Sequence, residues 1–207
     1  MCHRFALLAL LVGLLSAAAA AACAGDPPAG QPAAAPATTP AAPATTAPPV
    51  TTEAAPETSR PAPKGVIPAG RRQPAPVLRV TDFDGRAIDL AELKGRPVVV
   101  NFFESWCVVC RAEQDFIDEV AHRYQGEVQF VGVSNNDTVS EGRKYQRHFG
   151  VPYPLANDSS GRTWAAWGVP YQPVTVVVDE HGRVVRRFDG GIEDKDLAPV
   201  LEYLVGV

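Results

Sequence analysis

Positive charge is in short supply in this sequence: 19 lysines and arginines stand against 23 aspartates and glutamates, for a formal net charge of -4. The basic doublets Arg71-Arg72 and Arg186-Arg187 are not interleaved with aromatics, so solvated surface charge is their reading and no nucleic-acid partner is expected. Metal-ligating residues are scarce too. Beyond the first 22 positions only His122, His148 and His181 remain, with no helical i,i+4 pairing among them, and no metal site is expected. Arg111 follows Cys107-Val108-Val109-Cys110 where haem attachment would require histidine, and no other cofactor is implied. Residues 24–76 hold almost no aromatic or large aliphatic side chain and consist mainly of Ala, Pro, Thr and Gly, which cannot bury a core. Frequent proline keeps such a chain extended at about 3.1 Å per residue, so it could reach up to roughly 150 Å.

What precedes that segment is an export signal by pattern. Arg4 and the free amine lead into an apolar run over residues 5–15, then into alanines ending at Cys23, too short and too poorly flanked for a permanent helical anchor. Ala20-Ala21-Ala22-Cys23 resembles a bacterial lipobox with alanine where leucine is usual, and plain Ala-x-Ala cleavage before Cys23 is the alternative. Lipidation of Cys23 would remove a thiol otherwise left unpaired in an oxidising compartment, because Cys2 departs with the signal. The expected organisation is an export signal over 1–22, a linker over 23–75 and one folded domain over 76–207, monomeric and held outside the cell membrane through Cys23.

Residues 77–80 read as a short strand, 82–85 as a turn and 90–94 as a helical turn ended by Gly95. Residues 98–103 form a continuous apolar run of strand length, the pattern of a strand buried on both faces. Helical periodicity then runs over 107–124, with Phe116, Val120 and Tyr124 on one stripe, Ile117 and Ala121 widening it, and Glu113, Asp118, Glu119, His122 and Arg123 assigned to the solvent side. A strand over 128–133 completes a crossover unit whose strands should be parallel. Helices over 140–149 and 161–167, a hairpin from 174–178 to 184–188 and a last helix over 196–205 follow. The fold class is α/β, with a central mixed sheet flanked by helices.

Cys107 and Cys110 fall at the first turn of a helix directly beyond a buried strand. Unpaired N–H groups and the helix field at that end stabilise a thiolate on Cys107, and Cys110 sits near enough to close a small disulfide ring. A purely structural bridge across two residues restrains little chain entropy, so reactivity explains the placement better.

With these segments in view, the sequence resembles the extracytoplasmic thioredoxin-like proteins of TlpA or ResA type, including the DsbE/DsbF-like actinobacterial branch. The resemblance covers about residues 76–204: Asp84-Gly85-Arg86, then the run from Asn101 to Glu113, then Trp167-Gly168-Val169 and Pro173-Val174-Thr175. It implies a thioredoxin-like fold and a dithiol site for protein thiols or disulfides, serving oxidative folding or reductive cytochrome c maturation, with a membrane electron-transfer protein as a candidate partner. It also implies a cis bond between Gln172 and Pro173, facing the cysteines, with Pro170 as the competing position. Trp106, Val108 and Val109 would shape the site. Val109 replaces the proline of most relatives and restores an N–H near the thiolate, favouring it, whereas Glu104 would oppose it. Two other readings stand beside this one. A copper-handling module would use the same fold, although carriers of that kind generally have Cys-x-x-x-Cys with a remote histidine. A thiol peroxidase is suggested by a shared lead-in segment, but peroxiredoxins have threonine three residues before the cysteine, where Glu104 stands here.

Overall fold

The computed structural model describes residues 60–206; the expected export signal, Cys23 and most of the expected linker lie outside them. Among the described residues the strands are β1 (Arg79–Asp82), β2 (Ala87–Asp89), β3 (Val98–Phe102), β4 (Gln129–Ser134), β5 (Leu155–Asn157), β6 (Val174–Val178) and β7 (Val184–Asp189). The helices are α1 (Val108–Arg123), α2 (Val139–Phe149), α3 (Arg162–Ala166) and α4 (Asp194–Val205). The strands form one sheet in the order β2-β1-β5-β4-β3-β6-β7. β3 runs parallel to β4 and antiparallel to β6, which pairs antiparallel with β7, so the sheet is mixed as the crossover and hairpin signals require.

Every residue of β3 is buried. Period-two alternation sends Val98, Val100 and Phe102 into a layer with Trp164 and Trp167, whereas Val99 and Phe103 enter the layer formed with Ile117 of α1 and Leu197 and Leu201 of α4. Both faces are apolar because helices cover both. On β4 a Cβ at Gly132 would overlap Leu155 and crowd Phe103, so only glycine lets the β5 side chains approach. The sheet thus brings the C-terminal end of β3, and the cysteines beyond it, to one edge of a rigid two-layered core.

Three expectations need adjustment. β2 and β5 were not foreseen: each has three residues, too few to show a period. The buried stripe of α1 runs through Cys110, Glu113, Gln114, Ile117, Asp118, Val120 and Ala121, so Glu113 and Asp118 face inward rather than toward solvent, and Phe116 is only half-buried. Ordered contacts also reach back before residue 76. Val66 is buried, the Ile67 N–H donates to the Val185 carbonyl at 2.8 Å, and buried Arg72 meets the Asp179 carboxylate at 3.3 Å. Asp179 also accepts from Arg183 Nε at 3.1 Å and from the His181 and Arg183 N–H groups, so losing Arg72 would strip a buried carboxylate of part of the shell that compensates its burial. Removing residues 1–75 should therefore lower stability by about 3 kcal/mol, and Arg72→Ala alone by about 1–3 kcal/mol, read as urea midpoints. Removing residues 1–59 should leave the midpoint unchanged; a loss there would place further packing in the linker.

Candidate active site

Cys107 is the N-cap of α1. Its extended backbone (φ -71°, ψ 118°) turns its side chain over the open first turn, where Sγ accepts from the Cys110 N–H at 3.1 Å. A sulfur therefore occupies the place that a serine or aspartate oxygen usually takes at a helix start, and any negative charge on it is stabilised by the N-terminal field of the helix. The two cysteines are joined in a disulfide with a Cα–Cα separation of 5.3 Å. Cys107 retains 7% of its surface and Cys110 1%, so the N-terminal cysteine is the more accessible of the two.

The loop that delivers Cys107 is held by carboxylates. Glu104 is fully buried and accepts from Ser134 Oγ at 2.8 Å, from the Asn135 N–H at 3.0 Å and from the Asn136 N–H at 3.1 Å. Burial pushes its carboxyl above the ordinary range, against the pull of those donors. Asp137 accepts from the Ser105 N–H at 2.9 Å and from Ser105 Oγ at 2.7 Å. Together they stitch the turn after β3 to the turn after β4, and Glu104 is spent on that connection.

Around the disulfide, large apolar side chains point outward: Trp106, Val108 and Val109 on the cysteine loop and Tyr171 on the facing loop are all exposed. The Gln172–Pro173 bond is cis; Pro173 is buried, Gln172 half-buried and Pro170 exposed. Because Val174 pairs with Phe102 in the β3–β6 register, Pro173 lies at the same sheet end as the cysteines. Its carbonyl accepts from the Gly190 N–H at 2.9 Å, which ties the facing loop to the end of β7.

Two buried polar groups of α1, Glu113 and Gln114, also belong here. Glu113, one turn beyond Cys110, accepts from the Ile192 N–H at 3.0 Å and faces Asn101 Nδ2 at 3.5 Å, while Asn101 donates to Thr175 Oγ1 at 3.0 Å. Burial pushes the Glu113 carboxyl up to about 7. A Cβ built on Gly191 would sit 2.8 Å from Val109 Cγ1 and 3.6 Å from Glu113 Oε2, so the loop after β7 roofs the carboxyl close to the cysteine turn. Gln114 donates to Asp118 Oδ1 at 2.6 Å and to the Tyr153 hydroxyl at 2.8 Å, and accepts from the Tyr145 hydroxyl at 2.9 Å. That hydroxyl also lies 3.4 Å from the Cys110 carbonyl. The signal for both was present in the sequence: positions 110, 113, 114 and 117 share one helix face, so a cysteine expected to be buried drags Glu113 and Gln114 inward with it.

Among the described residues no three His, Cys, Asp or Glu side chains converge in a way that could hold a metal ion. Where a peroxide-reducing site would need a hydroxyl donor, Glu104 offers oxygens already accepting hydrogen bonds.

Comparison with known proteins agrees with this geometry. The AhpC/TSA family matches residues 72–187. The thiol-disulfide oxidoreductase ResA of Bacillus thuringiensis (strain Al Hakam) is 29% identical over 117 residues, 56% of this chain and 68% of that protein. Among solved structures, MTB DsbF, seen in mixed oxidised and reduced forms, superposes with a TM-score of 0.57 at 30% identity, over 61% of this chain and 94% of its own. A secreted Mycobacterium tuberculosis disulfide oxidoreductase homologous to E. coli DsbE superposes with a TM-score of 0.54 at 26% identity, over 63% of this chain and 96% of its own. The chain belongs to the AhpC/TSA family and, within the thioredoxin fold, is a homologue of the ResA-, DsbE- and DsbF-like thiol-disulfide oxidoreductases, with a redox-competent cysteine pair of its own.

Proposed function

We propose that this chain exchanges electrons with the cysteines of other proteins outside the cytoplasm, with Cys107 as the attacking sulfur and Cys110 as the resolving one. The observation that carries the reading is the inequality of the pair: Cys107 caps the helix and reaches the surface, whereas Cys110 is sealed beneath it. In the reducing direction the Cys107 thiolate attacks one sulfur of a client disulfide, forming a mixed disulfide and expelling the other client sulfur as a thiolate. The Cys110 thiol then passes its proton to the Glu113 carboxylate and attacks Cys107 Sγ, closing the intramolecular disulfide and expelling the second client thiolate. Two electrons pass to the client. In the oxidising direction a client thiolate attacks Cys107 Sγ, Cys110 leaves as a thiolate and takes up a proton, and a second client thiolate attacks the client sulfur of the mixed disulfide, closing the client disulfide and expelling Cys107 as a thiolate.

Trp106, Val108, Val109 and Tyr171 give the client segment an apolar surface, and Gln172 and Pro173 present the facing backbone. Placement outside the cytoplasm rests on the N-terminal pattern and on the secreted M. tuberculosis relative. Lipid attachment through Cys23 and electron exchange with a membrane protein extend the same reading.

The test is the active-site equilibrium against glutathione buffers, paired with insulin reduction and refolding of a reduced client. A potential near that of oxidising extracytoplasmic pairs with refolding activity assigns the oxidant role, and a strongly reducing potential with insulin turnover the reductant role. A tight stoichiometric copper complex with neither activity would replace this reading with metal handling.

A further inference from the structure

Between the cysteine loop and α2 lies a groove of about 330 Å³. Ser105, Trp106 and Arg111 form one wall, while Glu141, Lys144, Tyr145 and His148 of α2, spaced for one helix face, form the other. The charges in this groove do not cancel. Glu141 is consumed by its own helix start, where its Oε2 accepts from the Thr138 N–H at 2.8 Å and from Thr138 Oγ1 at 2.7 Å, and those bonds hold its carboxyl below the usual range. Its negative charge is thus set against the positive end of α2.

Among the described residues Arg111 forms no ion pair. It donates to the Ser105 carbonyl at 3.2 Å, and its guanidinium lies 5.1 Å from the Phe149 ring centre and 5.9 Å from that of Tyr145. Those rings and that carbonyl fix its position without neutralising it. Lys144 has no ion-pair partner among the described residues, and Arg147, exposed on the next turn, has none either. A locally basic groove therefore adjoins the segment that carries Cys107 in a chain whose net charge is -4.

We propose that this groove selects client segments that carry acidic side chains within a few residues of the reacting cysteine. The inference rests on the exchange chemistry proposed above and specifies its substrate class. Because the groove is walled by Trp106, the residue directly before Cys107, and by Arg111, the residue directly after Cys110, a segment held in it is kept close to the cysteine turn. That makes a client peptide, rather than a distant anionic surface, the occupant that fits. A client carboxylate would pair with Lys144 and the fixed Arg111 while the apolar part of the segment covers Trp106. Opposite charge at such an exposed rim acts mainly by raising the encounter rate, and salt should weaken it.

The test uses the reduced full-length protein and three synthetic peptides of equal length, each with one cysteine blocked as its 2-mercaptoethanol mixed disulfide. They carry glutamate, glutamine or lysine at the two positions flanking the cysteine on each side. Exchange with the glutamate peptide should be about 3–10-fold faster than with the glutamine peptide, and with the lysine peptide slower, at low salt. The spread should collapse at 0.5 M salt, roughly, where screening is nearly complete within one ion-pair distance. Lys144→Glu should shrink or invert the glutamate-to-glutamine ratio. Equal rates for the three peptides, or a glutamate preference that survives both salt and Lys144→Glu, would overturn the groove assignment while leaving the exchange chemistry in place. Failure to exchange with any of them would instead overturn the oxidoreductase reading on which it rests.

Discussion

Replacing Cys110 with serine should turn the protein into a trap: clients accumulate as mixed disulfides on Cys107, and steady-state turnover falls by on the order of 1,000-fold. Attack needs only the more accessible sulfur, which is the one that caps α1 and receives the Cys110 N–H at 3.1 Å. Resolution needs the second sulfur, which is 1% exposed and reachable only from within the turn. Cys107→Ser should abolish turnover as completely but trap almost nothing, because Cys110 cannot meet a protein-sized partner without unwinding the first turn. Non-reducing electrophoresis with mass mapping of the adducts separates the two variants. Iodoacetamide labelling of the reduced wild-type protein gives an independent check, with Cys107 alkylated first near neutral pH. Faster labelling of Cys110, together with stronger trapping by Cys107→Ser, would reverse the roles.

The second large effect should come from Glu113. Its carboxyl ionises near 7 in the folded protein, because burial penalises the charge more than the Ile192 and Asn101 bonds favour it. In the unfolded chain it ionises near the ordinary glutamate value. Between those two values the folded state holds the proton and the unfolded state does not, so stability falls as pH rises from about 4.5 to about 7, by up to about 3 kcal/mol, and no further above that. Glu113→Gln keeps an acceptor for the Ile192 N–H and loses the ionisation. Its urea midpoint should be flatter across this window and higher than wild type at pH 8. Exchange should move the other way. Without a proton acceptor one turn from Cys110, the resolving step should slow by about 100-fold near neutral pH, and the inflection near pH 7 in its rate should disappear. A variant that gained stability but kept both the rate and the inflection would confine Glu113 to a structural role.

Much of the site was legible from the sequence because its elements are continuous in the chain. A fully apolar strand followed at once by Cys-x-x-Cys and a helical period fixes the order strand, cysteine, helix, and helix polarity then separates the two sulfurs. The hairpin of β6 and β7 was legible because its turn residues are local. Glu113 was misassigned for a reason that is equally local. Its charge argued for solvent, but the stripe through Cys110 and Ile117 passes over it, and on a helix packed against a sheet the geometry outranks the preference of one side chain. Asp118 was misassigned in the same way; burial raises its carboxyl to about 6, and its compensation comes from Gln114, which no periodicity announces.

By itself, then, the sequence determined the α/β class, the mixed sheet, the cysteine pair at a helix start and the long apolar-poor segment before the domain. All of these follow from the spacing of residues within single elements. Only the tertiary structure decided what depends on residues far apart in the chain. It set Arg72 against Asp179 and so carried ordered packing back before residue 76. It spent Glu104 on the loop at 134–136, placed Asn101 and Thr175 beside Glu113, and faced Arg111 toward Lys144 across a groove. Each of those environments is made by two or more elements meeting, and whether a charge there is neutralised, buried or left open depends on the partner the fold supplies rather than on its neighbours in sequence.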